Sequence, residues 1–323
     1  MRPEKFAENP PGEVEMVDGI FAFSPDPLPP DLESTHDLLT ENGDAMYAVG
    51  QLSDLDRWLD SPEVILSPLI HREAVDSSNI ETTTRLTLSD IYRREAGEEP
   101  GRTETERADI TEAQNYVEAI TTGIQMLRNG AELDRDLLCR LHEILLQGAR
   151  GEQKHPGEFR NDLVGIDEPG TPLSKARFVP TPPASIPYAL RSLLQYIRSG
   201  PTYAPLVDLA LIHYQFETIH PFQDGNGRLG RLLVMLALYK WELLPGPYLY
   251  PSSYFNANRD AYLDRLLAVS RDGAWTEWVS FFVQAIAEQG REAYTVAREL
   301  LSLRDRYREQ YQGQGAVIRE LID

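Results

Sequence analysis

The stretch that decides the fold runs from Leu206 to Leu244 and holds, near its middle, His220-Pro221-Phe222-Gln223-Asp224-Gly225-Asn226-Gly227-Arg228-Leu229-Gly230-Arg231. On either side of this polar turn, Leu206 to Ile219 and Leu229 to Leu244 are apolar on nearly every face, as helices at the centre of a bundle are. Pro221 disfavours helical geometry at His220, so the first helix should end there and leave the imidazole at the mouth of the turn. Gly225-Asn226-Gly227 lets the backbone turn several N–H groups inward, in front of the positive end of the next helix. An anion site is expected. Arg228 and Arg231 share a face of the first helical turn, where two guanidinium forks imply more than one phosphate. Asp224 offers a hard oxygen just ahead of this nest, as Mg²⁺ sites beside nucleotide phosphates require. His220 has an ordinary pKa near neutrality and suits a base that takes a proton from an attacking hydroxyl. Singly, each feature has an ordinary explanation: a Gly-Asn-Gly turn, an Asp cap, solvated arginines at a helix start. Together they make base, metal ligand, phosphate cradle and two arginines.

Outward from this centre the pattern stays helical. Apolar positions at three- and four-residue intervals predict helices over about 38–59, 106–128, 134–147, 187–198, 257–271 and 275–310, and Ser67-Pro68 reads as a helix start. Between Gly157 and Pro183 two apolar bursts, Leu163-Val164-Gly165-Ile166 and Arg177-Phe178-Val179, flank Asp167-Glu168-Pro169-Gly170, which predicts a hairpin. Residues 1–33 hold seven of the 23 prolines and no sustained period, so an extended arm, docked or loose, is expected. The division that follows is an arm over 1–33, a helical region over 34–130, a core over 131–290 and a C-terminal helix with tail over 291–323.

A net charge of −20 argues against docking on nucleic acid or an anionic membrane, though a local basic pocket stays open. Cys139 is the only cysteine, so no disulfide forms within the chain and a reducing compartment, the cytoplasm, is expected; beside Leu138 and Leu141 it reads as a packing residue. The N-terminus lacks a signal-peptide stretch, and the longest apolar run, Leu232 to Tyr239, is too short to span a bilayer.

The central turn resembles the signature of the Fic family, His-x-Phe-x-Asp/Glu-Gly-Asn-Gly-Arg-x-x-Arg, at every fixed position. The likeness extends through Gly157-Glu158-Phe159-Arg160, Phe178-Val179-Pro180 and the Tyr262-to-Trp278 region, from about residue 65 to 285. It implies an all-α Fic-type helical bundle with a small β-hairpin flap. It further implies an enzyme that moves AMP from ATP to a Ser, Thr or Tyr hydroxyl of a target protein and releases pyrophosphate, with ATP and Mg²⁺ as the molecules bound. In that reading His220 deprotonates the hydroxyl, Asp224 binds Mg²⁺, and Phe222 packs inward. Gly225, Asn226, Gly227 and Arg228 hold the α- and β-phosphates, and Arg231 the γ-phosphate. Phe178 in the flap covers the nucleotide and offers a strand edge to the target; Tyr262 lies near the adenine or ribose, with Leu263 where relatives often carry a second aromatic. Partners are then ATP and an unidentified protein, the chain itself included, and self-association is left open.

Upstream, Ser77-Ser78-Asn79-Ile80-Glu81-Thr82 resembles the inhibitory signature Ser/Thr-x-x-x-Glu-Gly/Asn of Fic proteins with an N-terminal brake, Thr82 departing from it. The resemblance implies that Glu81 competes with the γ-phosphate for Arg231. The same cradle would also serve removal of AMP, another phosphate-group transfer, or a non-catalytic nucleotide-binding module. The phosphorylating Doc toxin branch loses the second arginine, which Arg231 retains here. Many relatives continue into a winged helix, whereas the sequence ends at Asp323 soon after Ala316-Val317-Ile318-Arg319, as either a truncated or a shorter natural chain would.

Overall fold

Side chains that cap helix ends fix where this chain turns. Thr103 and Glu106 exchange bonds (Glu106 N to Thr103 Oγ1, 3.1 Å; Thr103 N to Glu106 Oε2, 3.0 Å), and Asp134 Oδ1 accepts from Leu137 N at 3.0 Å. A computed structural model describes residues 3–33, 35–55, 63–81, 85–98, 103–167 and 170–311. Its helices are α1 (His36–Leu55), α2 (Glu63–Glu81), α3 (Leu88–Glu95), α4 (Glu104–Arg128), α5 (Arg135–Leu146), α6 (Ile186–Ser199), α7 (Pro205–Ile219), α8 (Asn226–Lys240), α9 (Ser252–Ala257), α10 (Arg259–Asp272) and α11 (Trp275–Gln310). The all-α class holds. Thr82 and Ala316-Val317-Ile318-Arg319 lie outside the described residues.

α7 and α8 form the centre, buried on almost every side as their composition requires. α11 packs along α1 and against α7, where Trp278 Nε1 donates to the Ala210 carbonyl at 2.8 Å. α2 lies between α4, α8 and α9. Two local expectations need correction, and two short helices were not expected. α2 begins at Glu63 with Pro68 inside it, so Ser67 is no cap; its hydroxyl instead bonds His71 Nδ1 at 3.3 Å one turn on. α8 begins at Asn226 and ends at Lys240 rather than spanning 229–244. α3 and α9, of 8 and 6 residues, are too short for periodicity to announce them.

The two-stranded sheet lies in the N-terminal arm. β1 (Gly12–Val17) pairs antiparallel with β2 (Ile20–Pro25), in register from Gly12↔Pro25 to Val17↔Ile20, around an Asp18-Gly19 turn. Asp-Gly is a strong two-residue hairpin signal, masked here by the surrounding prolines. The hairpin expected between Gly157 and Pro183 is reduced, among the described residues, to one antiparallel bridge, Ile166↔Phe178. The two regions meet: Phe23 N donates to the Val179 carbonyl at 2.9 Å, and Ala22, Phe23, Ala176, Phe178 and Val179 form a small second core. The arm is therefore the floor of the flap.

Phe23 is fully buried there, and truncating a buried Phe costs about 3–5 kcal/mol. Phe23→Ala should speed amide hydrogen exchange in residues 20–25 and 176–179 by at least about a hundredfold while leaving α7 and α8 protected. Uniform loss of protection would show that the second core is no separate unit.

Candidate active site

At the end of α7, His220 takes left-handed geometry (φ 51°, ψ 62°), and its N–H still bonds the Phe216 carbonyl at 2.9 Å. Arg160 braces this turn from below. Its Nε donates to the His220 carbonyl (2.7 Å), Nη1 to the Asp162 carbonyl (2.9 Å), Nη2 to the Thr181 carbonyl, and its backbone N–H to the Pro221 carbonyl (3.0 Å). Arg160 is 4% exposed, and burial lowers its pKa to about 10. His220 Nδ1 lies 3.2 Å from the Glu217 carbonyl, which can only accept, so the proton sits on Nδ1 and Nε2 keeps its lone pair. Burial and then the Arg160 charge push the His220 pKa down to about 4, so the imidazole is neutral at pH 7.

The loop after the base closes on itself. Asn226 Oδ1 accepts from Phe222 N (2.9 Å) and its Nδ2 donates to the Phe222 carbonyl (2.8 Å), so this buried amide is a strut and only its backbone N–H faces the cradle. Phe222 is fully buried and stacks on His142 at 3.8 Å. His142 Nδ1 accepts from Gly157 N (2.8 Å), so Nε2 carries the proton and donates to the Asp224 carbonyl (2.9 Å). Gly225 caps α8 at φ 74°, which leaves the first amides of α8 without helical acceptors. They are the cradle.

Two arginines and one carboxylate cover it. Arg231, 1% exposed, donates from Nε to Ser77 Oγ (2.8 Å) and from Nη2 to the Ser77 carbonyl (2.9 Å) and Glu81 Oε1 (2.6 Å). Arg228 holds Glu81 Oε2 at 3.3 Å from Nε, Glu112 Oε2 at 3.0 Å from Nη1 and Asp224 Oδ1 at 3.7 Å from Nη2. Burial alone would raise the Glu81 pKa, but Arg231 and Arg228 reverse this and hold it below the usual range. A Cβ on Gly227 would come 2.3 Å from Glu81 Oε1, so glycine there lets the carboxylate lie against the start of α8. The carboxylate lies at the start of α8, between the two arginines.

His220, Asp224, Gly225, Asn226, Gly227, Arg228, Arg231, Ser77 and Glu81 thus converge. Phe178 does not present itself to this cleft; it is 7% exposed and packs 5.9 Å from Phe23 in the second core. Tyr262 is 2% exposed, bonds His213 Nε2 through its hydroxyl at 2.8 Å and stacks on Phe255 at 4.7 Å. Sequence reasoning missed Glu217, whose carboxyl is pushed up to about 7 by burial, against the charge of Arg231. It also missed Glu112 and His142, whose signal was a polar residue on an otherwise apolar helix stripe.

Among the described residues no group of three or more His, Cys, Asp or Glu could hold a metal. Asp224 alone fits a hard cation, since its side chain is 42% exposed and its ion pair with Arg228 is long. One carboxylate suits Mg²⁺ that takes its other ligands from water and phosphate. Cys139 is partly buried, and burial pushes its thiol up, as for a packing residue.

Bundle and turn define a class: an all-α protein with an anion cradle at the start of a buried helix and a neutral histidine at its mouth. The sequence model of the Fic/DOC family matches residues 132–238 and that of the Fic/DOC family N-terminal region residues 39–125, and the chain belongs to this family. It is 27% identical over 173 residues to a probable protein adenylyltransferase of Aquifex aeolicus, covering 52% of this chain and 51% of that protein. It is 32% identical over 111 residues to protein adenylyltransferase fic-1 of Caenorhabditis elegans, covering 34% of this chain and 20% of that one. The chain therefore spans about half the length of the first relative and a fifth of the second. A Fic family protein from Desulfovibrio desulfuricans G20 superposes with a TM-score of 0.66 at 24% identity, over 83% of this chain and 77% of that one. Fic-1 (residues 134–508) of C. elegans does so at 0.61 and 18%, over 82% and 74%.

Asn226→Ala removes both partners of the Phe222 backbone, and leaving buried polar groups unmatched costs about 1–3 kcal/mol. The melting temperature should fall by about 2–4 °C per kcal/mol, measured by differential scanning fluorimetry. An unchanged midpoint would show that the amide is no strut.

Proposed function

We propose that the protein transfers AMP from ATP to a hydroxyl side chain of a protein. The observation that carries this reading is the neutral His220, its Nε2 free, at the mouth of a cradle that holds two arginines and the unpaired amides of α8. The target oxygen attacks the α-phosphorus, the bond to the β-phosphate oxygen breaks, pyrophosphate leaves, and the hydroxyl proton passes to His220 Nε2. Little covalent work falls to the protein, so positioning and charge neutralisation supply most of the rate. Asp224 would hold Mg²⁺, which would neutralise phosphate charge when bound. Arg228 and the α8 amides grip the α- and β-phosphates and Arg231 the γ-phosphate, while Arg160 and Glu217 orient the base. No described helix is long and apolar enough to cross a membrane, and the lone cysteine supports a reducing compartment such as the cytoplasm.

Glu81 acts in this reading as a brake. Arg231 binds either that carboxylate or a γ-phosphate, so the intact chain holds ATP in a misaligned pose. Glu81→Gly should raise transfer of α-phosphate label by about ten- to a hundredfold, the worth of a charge-assisted bond of roughly 1.5–3 kcal/mol. Adding Arg231→Ala should cancel the gain, because the freed group is gone. Equal rates of wild type and Glu81→Gly across ATP concentrations would show that α2 is no brake.

His220 must be neutral to accept a proton, and its pKa is lowered to about 4. Its contribution is therefore complete above about pH 5.5 and is lost as pH falls through about 4. The Glu81→Gly rate should show no His220 step between pH 6 and 8, and His220→Ala should abolish transfer yet leave ATP binding by calorimetry within about threefold. An acid limb centred near the ordinary histidine value of about 6.5 would contradict the burial of the ring.

A further inference from the structure

The chain has only four lysines, Lys5, Lys154, Lys175 and Lys240, against 51 Asp and Glu residues. Two of the four line one cleft. This cleft, of about 390 Å³, lies between the N-terminal turn, the flap and α10, and four cations edge it: Lys5, Lys175, Arg177 and Arg271. Phe6 and Leu267 give it an apolar floor. Phe6 is itself fixed, stacked on Phe23 at 5.6 Å, and Ala7 N donates to the Arg271 carbonyl at 2.7 Å, so the wall that carries Lys5 is built into the fold.

Two of these four charges have carboxylate partners and two have none among the described residues. Arg177 pairs with Asp264, and Arg271 Nη2 with Asp272 at 2.7 Å, both exposed pairs of small energetic weight. Lys5 and Lys175 are exposed and make no ion pair among the described residues, whereas Lys240 reaches Glu132 at 3.4 Å. In a chain of net charge −20 a site that keeps two unpaired lysines beside two arginines selects an anion. Its volume and its apolar lining suit a chain segment better than a single phosphate.

Position says which chain. Arg177 begins the flap segment, and Thr181, four residues on, donates its N–H to the Thr218 carbonyl beside the catalytic turn, while its own carbonyl accepts from Arg160. Four residues span at most about 14 Å. We propose that this cleft binds an acidic segment of the target protein a few residues from the hydroxyl that is modified; the proposal rests on the AMP-transfer reading and adds the substrate class to it. Lys5, Lys175, Arg177 and Arg271 are then specificity residues and take no part in the chemistry.

The test uses the full chain and a fluorescein-labelled peptide of ten glutamates, followed by anisotropy without ATP. The peptide should bind, weaken as NaCl rises from 50 to 300 mM, and bind at least about tenfold more weakly to Lys5→Glu/Lys175→Glu than to wild type or Lys240→Glu. Circular dichroism should be the same for all three. Equal binding to every variant, no binding at all, or tighter binding of a thymidine decamer or of inorganic phosphate than of the peptide would overturn the assignment. In the Glu81→Gly background, excess peptide should suppress α-phosphate labelling of lysate proteins, and the lysine reversal should remove that suppression. Labelling indifferent to the peptide would overturn the substrate role. Absence of any labelling, with peptide binding intact, would remove the transferase reading and leave the acidic-peptide site standing.

Discussion

A permanently charged guanidinium at the centre of an apolar bundle is the constraint around which this protein is arranged. Arg231 sits on α8, a helix otherwise lined by leucines, and is 1% exposed. Moving an unpaired charge into such surroundings costs far more than a folded chain has to spare. α2 supplies the compensation through Ser77 and Glu81, and the Glu217 and Tyr262 side chains sit within electrostatic reach. Without α2 the charge would be left in a dry pocket, and breaking a buried pair by removing one partner costs about 3–5 kcal/mol. An anion bound at the start of α8 could take over the role of Glu81. Under the proposed function, Arg231 would then link the Glu81-paired structure to a bound nucleotide, one carboxylate being exchanged for a phosphate around the same cation.

Such an exchange would need α2 to stay in place while its last turn changes partner, and a row of polar bonds holds the helix. Glu73 is fully buried and accepts from Ser252 Oγ (2.5 Å), Ser252 N (3.1 Å) and Tyr116 Oη (3.0 Å). Asp76 accepts from Ser253 and from Asn256 Nδ2 (3.0 Å), and Arg259 Nε donates to the Ile80 carbonyl (2.7 Å). These bonds tie the whole inward side of α2 to α9 and α10. Burial pushes the Glu73 carboxyl up to about 7, so near neutrality it titrates where it anchors the helix. The Glu81 carboxylate itself, at the last described residue of α2, pairs among the described residues with Arg231 and Arg228 and keeps 28% of its side chain exposed. The helix is held by polar partners along its length and by charge at its tip.

How much of this was legible depends on the range of the interaction. The base, the cradle and both arginines lie within twelve consecutive residues, so local backbone rules suffice to read them. The helices were legible where apolar periodicity ran long, and their ends where a cap was present, as at Asp134. Glu217 was not legible, because a glutamate three residues before a histidine on a helix looks solvated until α8 closes over it. Arg160 and His142 acquire their roles from carbonyls up to 82 residues away. The hairpin at 12–25 was masked by the prolines on either side of it, although Asp18-Gly19 marks its turn and β2 packs Ala22 and Phe23 into the second core.

The missed hairpin changes what the flap can do. In a strand-addition scheme an incoming segment bonds to free backbone groups along an edge. Here both polar groups of Phe178 are taken by Ile166, the Val179 carbonyl by Phe23, and the Arg177 N–H by Asp167 Oδ2. Among the described residues only the Arg177 carbonyl and the Val179 N–H keep no such bond within this three-residue stretch. Two groups give an extended segment little register, since a ladder fixes register by repeating its bonds. Phe178 cannot add a side-chain grip, because it is buried against Phe23. Under the proposal, discrimination between targets would fall to side chains at the ends of the flap, and those at its near end are Lys175 and Arg177. Backbone pairing would hold a substrate segment in the cleft in a general way, and charge would decide which segment it is.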